Sequence, residues 1–152
     1  MDNFQTKKRA MEFLKKNSTM VVATVNVFGE PQASVVYFYP DSEFNLYFMT
    51  SVGSKKYENI ISSGKAAFVV GSGPDVITIQ GGGNVQQLDE KEAEVFNNLI
   101  EKAVKPNDQW PLLTLSKKGF ATFKITPSWM VMLNLHKGDF KEEMKEGFQK
   151  II

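Results

Sequence analysis

The chain has 152 residues, no cysteine and a net charge of +1. This length fits one domain with a sizeable core. The lack of cysteine excludes disulfides and thiolate chemistry, and the near-zero charge provides no field that would recruit nucleic acid or an acidic membrane. No apolar run approaches the ~18 residues of a membrane span, and the N-terminus lacks the apolar core of a signal peptide. We therefore expect one soluble, cytoplasmic domain over residues 1–152.

The first third of the chain predicts a helix followed by three antiparallel strands. Asp2 can cap a helix over residues 2–16, where apolar side chains recur at roughly helical spacing. The next segment, 19–27, is β-branched and apolar, which predicts a strand buried on both faces. Turn residues separate it from two further strands, over 32–39 and 44–50.

The junction after the third strand has the features of an anion site. Gly53 lies in the turn and can adopt backbone conformations closed to other residues, and Ser54 is placed to cap a helix over 54–62. Unpaired N–H groups at such a helix start favour an anion, and Lys55 and Lys56 supply positive charge. Because lysines oppose the helix dipole there, either they bind an anion such as a phosphate or they solvate the first turn. The spacing is not that of a P-loop.

The second half of the chain predicts four more strands and two more helices. The triplet Gly81–Gly83 interrupts a strand over 76–88, which is typical of a bulge or of the close approach of another strand. Pro127 splits the last β-prone segment into two strands. The remaining elements are a strand over 65–71, a helix over 90–104, strands over 119–126 and 128–136, and a helix over 139–151.

The short connections between strands predict a mainly β (α+β) fold. Six or seven antiparallel strands would form a closed or nearly closed barrel with peripheral helices, because hairpin-length links do not suit a parallel sheet. The barrel would occupy about residues 19–136, with the N-terminal helix over 2–16 and the C-terminal helix over 139–151 outside it.

The side chains offer little self-sufficient catalytic chemistry. His136 is the single histidine, and the chain places no set of metal ligands around it. Acid pairs at 89–90 and 142–143 lie at predicted helix starts, where capping accounts for them. No catalytic residue and no metal site is predicted, so a bound cofactor would carry any chemistry. Trp110, in a polar loop, either covers the domain's own core or meets a partner.

Three stretches of the first half resemble a known family. They are Ala23-Thr-Val-Asn-Val-Phe-Gly-Glu-Pro-Gln32, Val35-Val-Tyr-Phe38, and Leu46-Tyr-Phe-Met-Thr50 followed by Gly53-Ser-Lys-Lys56. Together they resemble the FMN-binding split barrels related to pyridoxamine 5′-phosphate oxidase, of the general-stress-protein type. The likeness is clearest over residues 19–88 and extends loosely to about 136.

This resemblance implies a six-stranded split barrel that forms a homodimer, with FMN in the groove between the subunits. Residues 34–37 would run along the flavin ring, Met49 and Thr50 would meet the ring edge and ribityl chain, and the segment 54–56 would hold the phosphate. The cofactor-binding residues so implied are Ser34, Val35, Val36, Tyr37, Met49, Thr50, Ser51, Ser54, Lys55 and Lys56.

The chain departs from the family oxidases at several positions. Ala33 stands where those enzymes have an arginine, and Phe38 stands where they keep a basic residue. Val76 aligns with a glutamine that some members use, and Leu133 falls near their late tryptophan. Segment 137–152 has no counterpart of their Arg-x-His motif for the substrate phosphate, so pyridoxamine-phosphate oxidase activity is not expected.

The resulting hypothesis is a homodimeric FMN protein that acts as an oxidoreductase on an unidentified small molecule, with no nucleic acid or membrane partner. The alternatives are a non-catalytic flavin carrier or sensor, a protein that binds the deazaflavin F420 or haem in the same groove, and a purely structural dimerisation module. Haem would need an axial ligand, and the long acidic tail of F420 would need more basic residues along the groove.

Overall fold

The computed structural model describes residues 3–71, 77–94, 119–134 and 148–152. Within these ranges every strand pairing is antiparallel. In chain order the elements are α1 (Asn3–Lys16), β1 (Thr19–Val25), β2 (Pro31–Pro40), β3 (Leu46–Ser51), α2 (Lys55–Ser63), β4 (Lys65–Val70), β5 (Ile77–Gln87), β6 (Phe120–Asn134) and β7 (Phe148–Lys150). Residues 90–94 are also helical.

The first six strands close into a barrel. They follow the order β3-β2-β1-β4-β5-β6, and β6 pairs back onto β3 from Ile125 to Phe120. β6 extends beyond the segment that closes the barrel, and its later residues 131–133 pair with β7, which is an outer strand. Closure leaves the barrel without the open edges that a flat sheet would expose. The predicted mainly β fold of six to seven antiparallel strands with peripheral helices is confirmed.

Alternate side chains of each strand fill the barrel. In β1 the buried residues are Met20, Val22 and Thr24, and the residues between them are only partly buried. The expectation of a strand buried on both faces is therefore wrong, because an antiparallel barrel turns only every second residue toward its core. Phe48 and Phe123, paired across β3 and β6, stack inside with ring centroids 5.5 Å apart.

Both ends of α2 follow the predicted capping chemistry. Ser54 is extended and its hydroxyl accepts a hydrogen bond from the Tyr57 N–H at 3.2 Å. Gly64 adopts the left-handed conformation, with φ of 65°, and its N–H donates to the Ile60 carbonyl at 2.8 Å. These contacts satisfy backbone groups that a helix end otherwise leaves unpaired, and they fix the direction in which α2 leaves β3.

The sequence predicts that Pro127 splits the last β segment into two strands, but the structure has one continuous strand there. β6 runs through it as one strand, and a register shift between Gly82 and Gly83 of β5 takes up the irregularity. Gly83 pairs with Pro127 and Gly82 with Trp129, so one residue of β6 bulges between them. A Cβ on Gly83 would meet the backbone of β6. Pro127 has no N–H, and the bulge allows β6 to contain such a residue. The glycines of β5 leave room for the bulge.

The C-terminal segment also departs from the sequence-based prediction. The sequence predicts a helix over 139–151, but Phe148–Lys150 form β7, and residues 139–147 lie outside the described ranges. The Ile151 N–H donates to the Met130 carbonyl at 2.8 Å, and Ile151 is buried. Backbone pairing with β6 and burial of this isoleucine thus outweigh the local helical pattern.

A turn also shortens β3 relative to the prediction. Asp41 accepts hydrogen bonds from the N–H groups of Glu43 and Asn45 through its carboxylate, each at 2.9 Å. Phe44 has a φ of 68° and therefore belongs to this turn, although it was predicted to open the strand. The strand begins at Leu46, because the aspartate holds the preceding backbone in a conformation that cannot join the ladder.

Candidate functional site

A cavity of about 240 Å³ opens where β2 and β3 diverge. The two strands pair only between residues 38–40 and 46–48. Beyond this short ladder, residues 35–37 of β2 and 49–51 of β3 line the cavity. The split between two neighbouring strands thus creates a recess in the surface of an otherwise closed barrel.

The start of α2 closes one end of this recess. The hydroxyls of Thr50, at the end of β3, and of Ser54, the cap of α2, lie 2.9 Å apart and share a hydrogen bond. The Ser54 N–H bonds back to the Ser51 carbonyl at 3.0 Å. These contacts hold a tight strand–turn–helix junction, so the positive end of the helix dipole and the remaining N–H groups of the first turn lie at the junction.

Lys56 is the charged residue of the recess. It lines the cavity, and its Nζ donates to the Ser34 Oγ of β2 at 2.8 Å. Burial lowers the pKa of this ammonium below its ordinary value of 10.5. Within the described ranges no carboxylate pairs with it, so a partly desolvated cation has only a hydroxyl for a partner. Such a group favours a bound anion, because an anion would restore the stabilisation lost with water.

Gly53 differs from the sequence-based expectation, whereas the predicted contact of Lys55 with a phosphate stays a prediction. Lys55 is exposed, does not line the cavity, and has no partner among the described residues. Gly53 does not have a positive φ, and a Cβ built on it would approach only the Ser51 hydroxyl, at 3.8 Å. The turn therefore does not depend on the special conformational freedom of glycine.

The structure brings together nine of the ten residues implied for the cofactor. Seven line the cavity, and two are hydrogen-bonded to lining residues; Lys55 lies apart. The lining residues are Val35, Val36, Tyr37, Met49, Thr50, Ser51 and Lys56, joined through hydrogen bonds by Ser34 and Ser54.

Phe120 also lines the cavity and was not predicted. It is brought there by barrel closure, since it pairs with Ser51 across β3 and β6. These residues are far apart in the sequence, and no local pattern marks the contact. Trp110 and His136 lie outside the described residues. Among the described residues, no three potential ligands from His, Cys, Asp and Glu lie close enough to hold a metal ion.

A family profile described as pyridoxamine 5′-phosphate oxidase matches residues 6–133, which is most of the chain. The chain belongs to the pyridoxamine 5′-phosphate oxidase family. The match spans β1 to β5 and all but the last residue of β6, so it includes every strand of the closed barrel. A comparison with functionally curated proteins gave no match.

Solved structures of the family fold align with most of the chain. A protein assigned to the pyridoxamine 5′-phosphate oxidases from Listeria innocua is 19% identical, with a TM-score of 0.64 over 84% of this chain and 98% of its own. General stress protein 26 from Bacillus anthracis is 20% identical, with a TM-score of 0.62 over 83% and 92%. The haem storage protein HutZ from Vibrio cholerae is 15% identical, with a TM-score of 0.64 over 80% and 89%.

These similarities establish the fold. They do not identify the cofactor, which has to be inferred from the residues of the site. The names of the three proteins point to different activities and ligands, although the barrel is shared. The longest described helix, α1, has 14 residues, and no helix in the described ranges has the length and apolar character needed to span a bilayer.

Proposed function

We propose that the chain binds FMN in the recess between β2 and β3 and acts as a flavin-dependent oxidoreductase. The proposal rests mainly on Lys56. Its ammonium lies beside the N-terminus of α2, is partly buried and has no carboxylate partner among the described residues. A phosphate is the anion that suits this position, because it accepts several hydrogen bonds at once from an ammonium, hydroxyls and helix N–H groups. Ser54 and Thr50 supply those hydroxyls.

The rest of the recess suits an aromatic ring. Val35, Met49 and Phe120 give it apolar walls, and Tyr37 adds a second aromatic side chain. Mostly apolar walls with a few polar groups at one end are typical of cofactor sites. The polar end, with Lys56, would hold the phosphate, and the apolar end would hold the flavin ring.

The size of the recess supports a site shared by two subunits. Its volume of about 240 Å³ falls below the ~300–1,000 Å³ typical of a complete small-molecule site. Val35 on its wall is 66% exposed, and at the tip of the β1–β2 hairpin Val27 and Phe28 are also exposed. Exposed apolar side chains beside an incomplete pocket favour a second copy of the chain as the missing wall, so a homodimer is part of the proposal.

Bound FMN would supply reversible hydride transfer, and the chain's own residues would bind and orient it. Lys56 and Ser34 would fix the phosphate end, while Val35 and Met49 would exclude water from the ring. Pyridoxamine 5′-phosphate is not the proposed substrate, because segment 137–152 contains neither arginine nor histidine and its four lysines are balanced by four acids. A second phosphate site beside the flavin would need uncompensated positive charge.

Haem, F420 and a non-catalytic flavin carrier are the rival functions. The Lys56 ammonium, which has no carboxylate partner among the described residues, favours a phosphorylated flavin over haem, and one cavity lysine is little charge for the acidic tail of F420. The test is an equilibrium titration of the purified protein with FMN and with riboflavin, followed by flavin fluorescence. FMN should bind roughly 10–150-fold more tightly, because contacts to a charged group contribute about 1.5–3 kcal/mol. Equal affinities would refute the phosphate site, and no binding of either would refute the whole proposal.

A further inference from the structure

A second cavity, of about 480 Å³, adjoins the first. Met49 and Phe120 line both cavities, so one wall is common to them. The other described walls are Gln87 at the end of β5, Ala121 and Thr122 of β6, and five residues that follow β5: Leu88, Asp89, Glu90, Ala93 and Glu94. This volume falls within the ~300–1,000 Å³ typical of small-molecule sites.

The two cavities have charges of opposite sign. Lys56 is the charged residue that lines the first, whereas Asp89, Glu90 and Glu94 line the second, and none of its described lining residues is basic. Asp89 has a structural role, because its carboxylate accepts a hydrogen bond from the Glu92 N–H at 2.8 Å and caps the helical segment. The other two acids, Glu90 and Glu94, are exposed and have no capping role in the described structure.

Glu90 and Glu94 form no described hydrogen bond or ion pair. They lie four residues apart in the helical segment, a spacing at which like charges repel by roughly 0.2–0.5 kcal/mol. Lys91 and Lys124 are the basic residues nearest to this wall in the sequence, and neither lines the cavity. The two carboxylates therefore share one cavity wall, where both are exposed and neither has an ion-pair partner among the described residues.

Thr122 provides an independent observation. Its side chain is only 4% exposed, and it lines the second cavity. In the described part of the chain its hydroxyl has no hydrogen-bond partner, although it is not sealed off from the cavity. A hydroxyl open to a cavity that two carboxylates also line suits a ligand that donates hydrogen bonds and carries positive charge.

The negative field extends along the outer face of β3. Tyr47, two residues before Met49, has its pKa raised to about 12, first by burial and then by its hydrogen bond to the Asp41 carboxylate at 3.0 Å. The charges of Glu43 and Glu92 raise this pKa further. The carboxylates of Asp41, Glu43 and Glu92 therefore act on this face of β3, where Lys124 of β6 is the basic residue paired with Tyr47.

We infer that the second cavity is the substrate compartment of this site and that it takes a small organic cation. This inference rests on the proposed function for the flavin in the adjoining recess. The ammonium of such a ligand would pair with Glu90 and Glu94 and donate to the Thr122 hydroxyl, while its apolar part would pack against Met49 and Phe120. The same carboxylates would repel a phosphate ester.

The experiment uses three small probes of similar shape and different charge: benzylamine, benzyl alcohol and benzoate. Each is titrated into the full-length protein with and without FMN, and binding is followed by calorimetry and, in the loaded protein, by the flavin absorption spectrum. Benzylamine should bind at least about tenfold more tightly than benzyl alcohol, and benzoate should not bind. This preference should shrink as salt is raised, because exposed charge pairs are screened.

The variants are Glu90→Gln/Glu94→Gln and Thr122→Val, with Glu12→Gln as a control that removes an exposed carboxylate from α1. The double variant should weaken benzylamine roughly two- to thirtyfold and leave benzyl alcohol unchanged. Thr122→Val should weaken benzylamine, Thr122→Ser should restore it, and the control should change nothing.

Two outcomes separate this inference from the proposed function. If FMN binds but the protein does not distinguish benzylamine from benzyl alcohol, the cationic-substrate inference is overturned and the flavin site stands. If FMN does not bind but benzylamine binds and depends on the two glutamates, the acidic cavity stands and the flavin proposal fails. An effect of Glu12→Gln as large as that of the double variant would also overturn the inference.

Discussion

Removing the charge of Lys56 should weaken FMN while leaving the fold intact. In a Lys56→Met variant the side chain keeps its length but loses the ammonium that lies 2.8 Å from the Ser34 hydroxyl. A hydrogen bond to a charged group contributes about 1.5–3 kcal/mol, so the dissociation constant for FMN should rise roughly 10–150-fold. The thermal unfolding midpoint of the cofactor-free protein should not fall, because this ammonium is desolvated and its described partner is only a hydroxyl.

Lys55→Met is the matched control, since it removes the same charge from the neighbouring residue, which is exposed. It should change FMN affinity by roughly threefold or less, as expected for a solvent-screened charge. Both variants should bind riboflavin like the parent protein. The reasoning would be refuted if Lys55→Met weakened FMN as much as Lys56→Met did, or if Lys56→Met weakened riboflavin and FMN equally.

Four further predictions follow from other parts of the structure. A Cβ on Gly81 would lie 2.7 Å from the Trp129 carbonyl oxygen. In urea titrations, Gly81→Ala should therefore lower the free energy of unfolding by about 1–3 kcal/mol. The control Gly53→Ala should change this free energy by less than about 0.5 kcal/mol. The raised pKa of Tyr47 adds stability below pH 10 that is lost as pH rises from 10.0 to about 12, and Tyr47→Phe should remove this slope. Light scattering should give twice the chain mass of 17.1 kDa, and a stable monomer that binds FMN would exclude a shared site. The FMN-loaded protein should oxidise pyridoxine 5′-phosphate with a kcat/KM below about 10⁴ M⁻¹s⁻¹.

The sequence correctly predicted the elements whose structure depends on interactions between residues that are close in the chain. Ser54 and Gly64 cap α2 as expected, because each satisfies backbone groups within one turn of itself. The same applies to the strand–turn–helix junction, whose residues all lie within 49–56. The resemblance to the family added the residues of β2, which sit on the opposite wall and share no local pattern with the junction.

Contacts between distant segments could not be predicted. The run of Phe148–Lys150 reads as part of a helix, and only its pairing with β6 makes it a strand. Pro127 reads as a strand break, and only the bulge opposite Gly82 and Gly83 lets β6 continue through it. Phe120 reaches the cavity through barrel closure alone. In each case long-range pairing overrides local preference.

The sequence also could not separate the two lysines of the junction. Lys55 and Lys56 are adjacent and chemically identical, and both were predicted to hold the phosphate. The helix turns them about 100° apart, so Lys56 reaches Ser34 across the recess while Lys55 stays exposed. Likewise, the acids at 89–90 were explained as helix caps. Asp89 fits that explanation, whereas Glu90 lines a cavity that forms only when the helical segment packs beside β3 and β6.

The most direct test of the account is a crystal structure of the protein grown with FMN. The FMN phosphate should lie within about 3.2 Å of the Lys56 Nζ, beside the Ser54 hydroxyl, with the flavin ring against Met49 and covered by a second copy of the chain. A phosphate bound away from Lys56, or crystals of the saturated protein with no flavin between β2 and β3, would contradict the account.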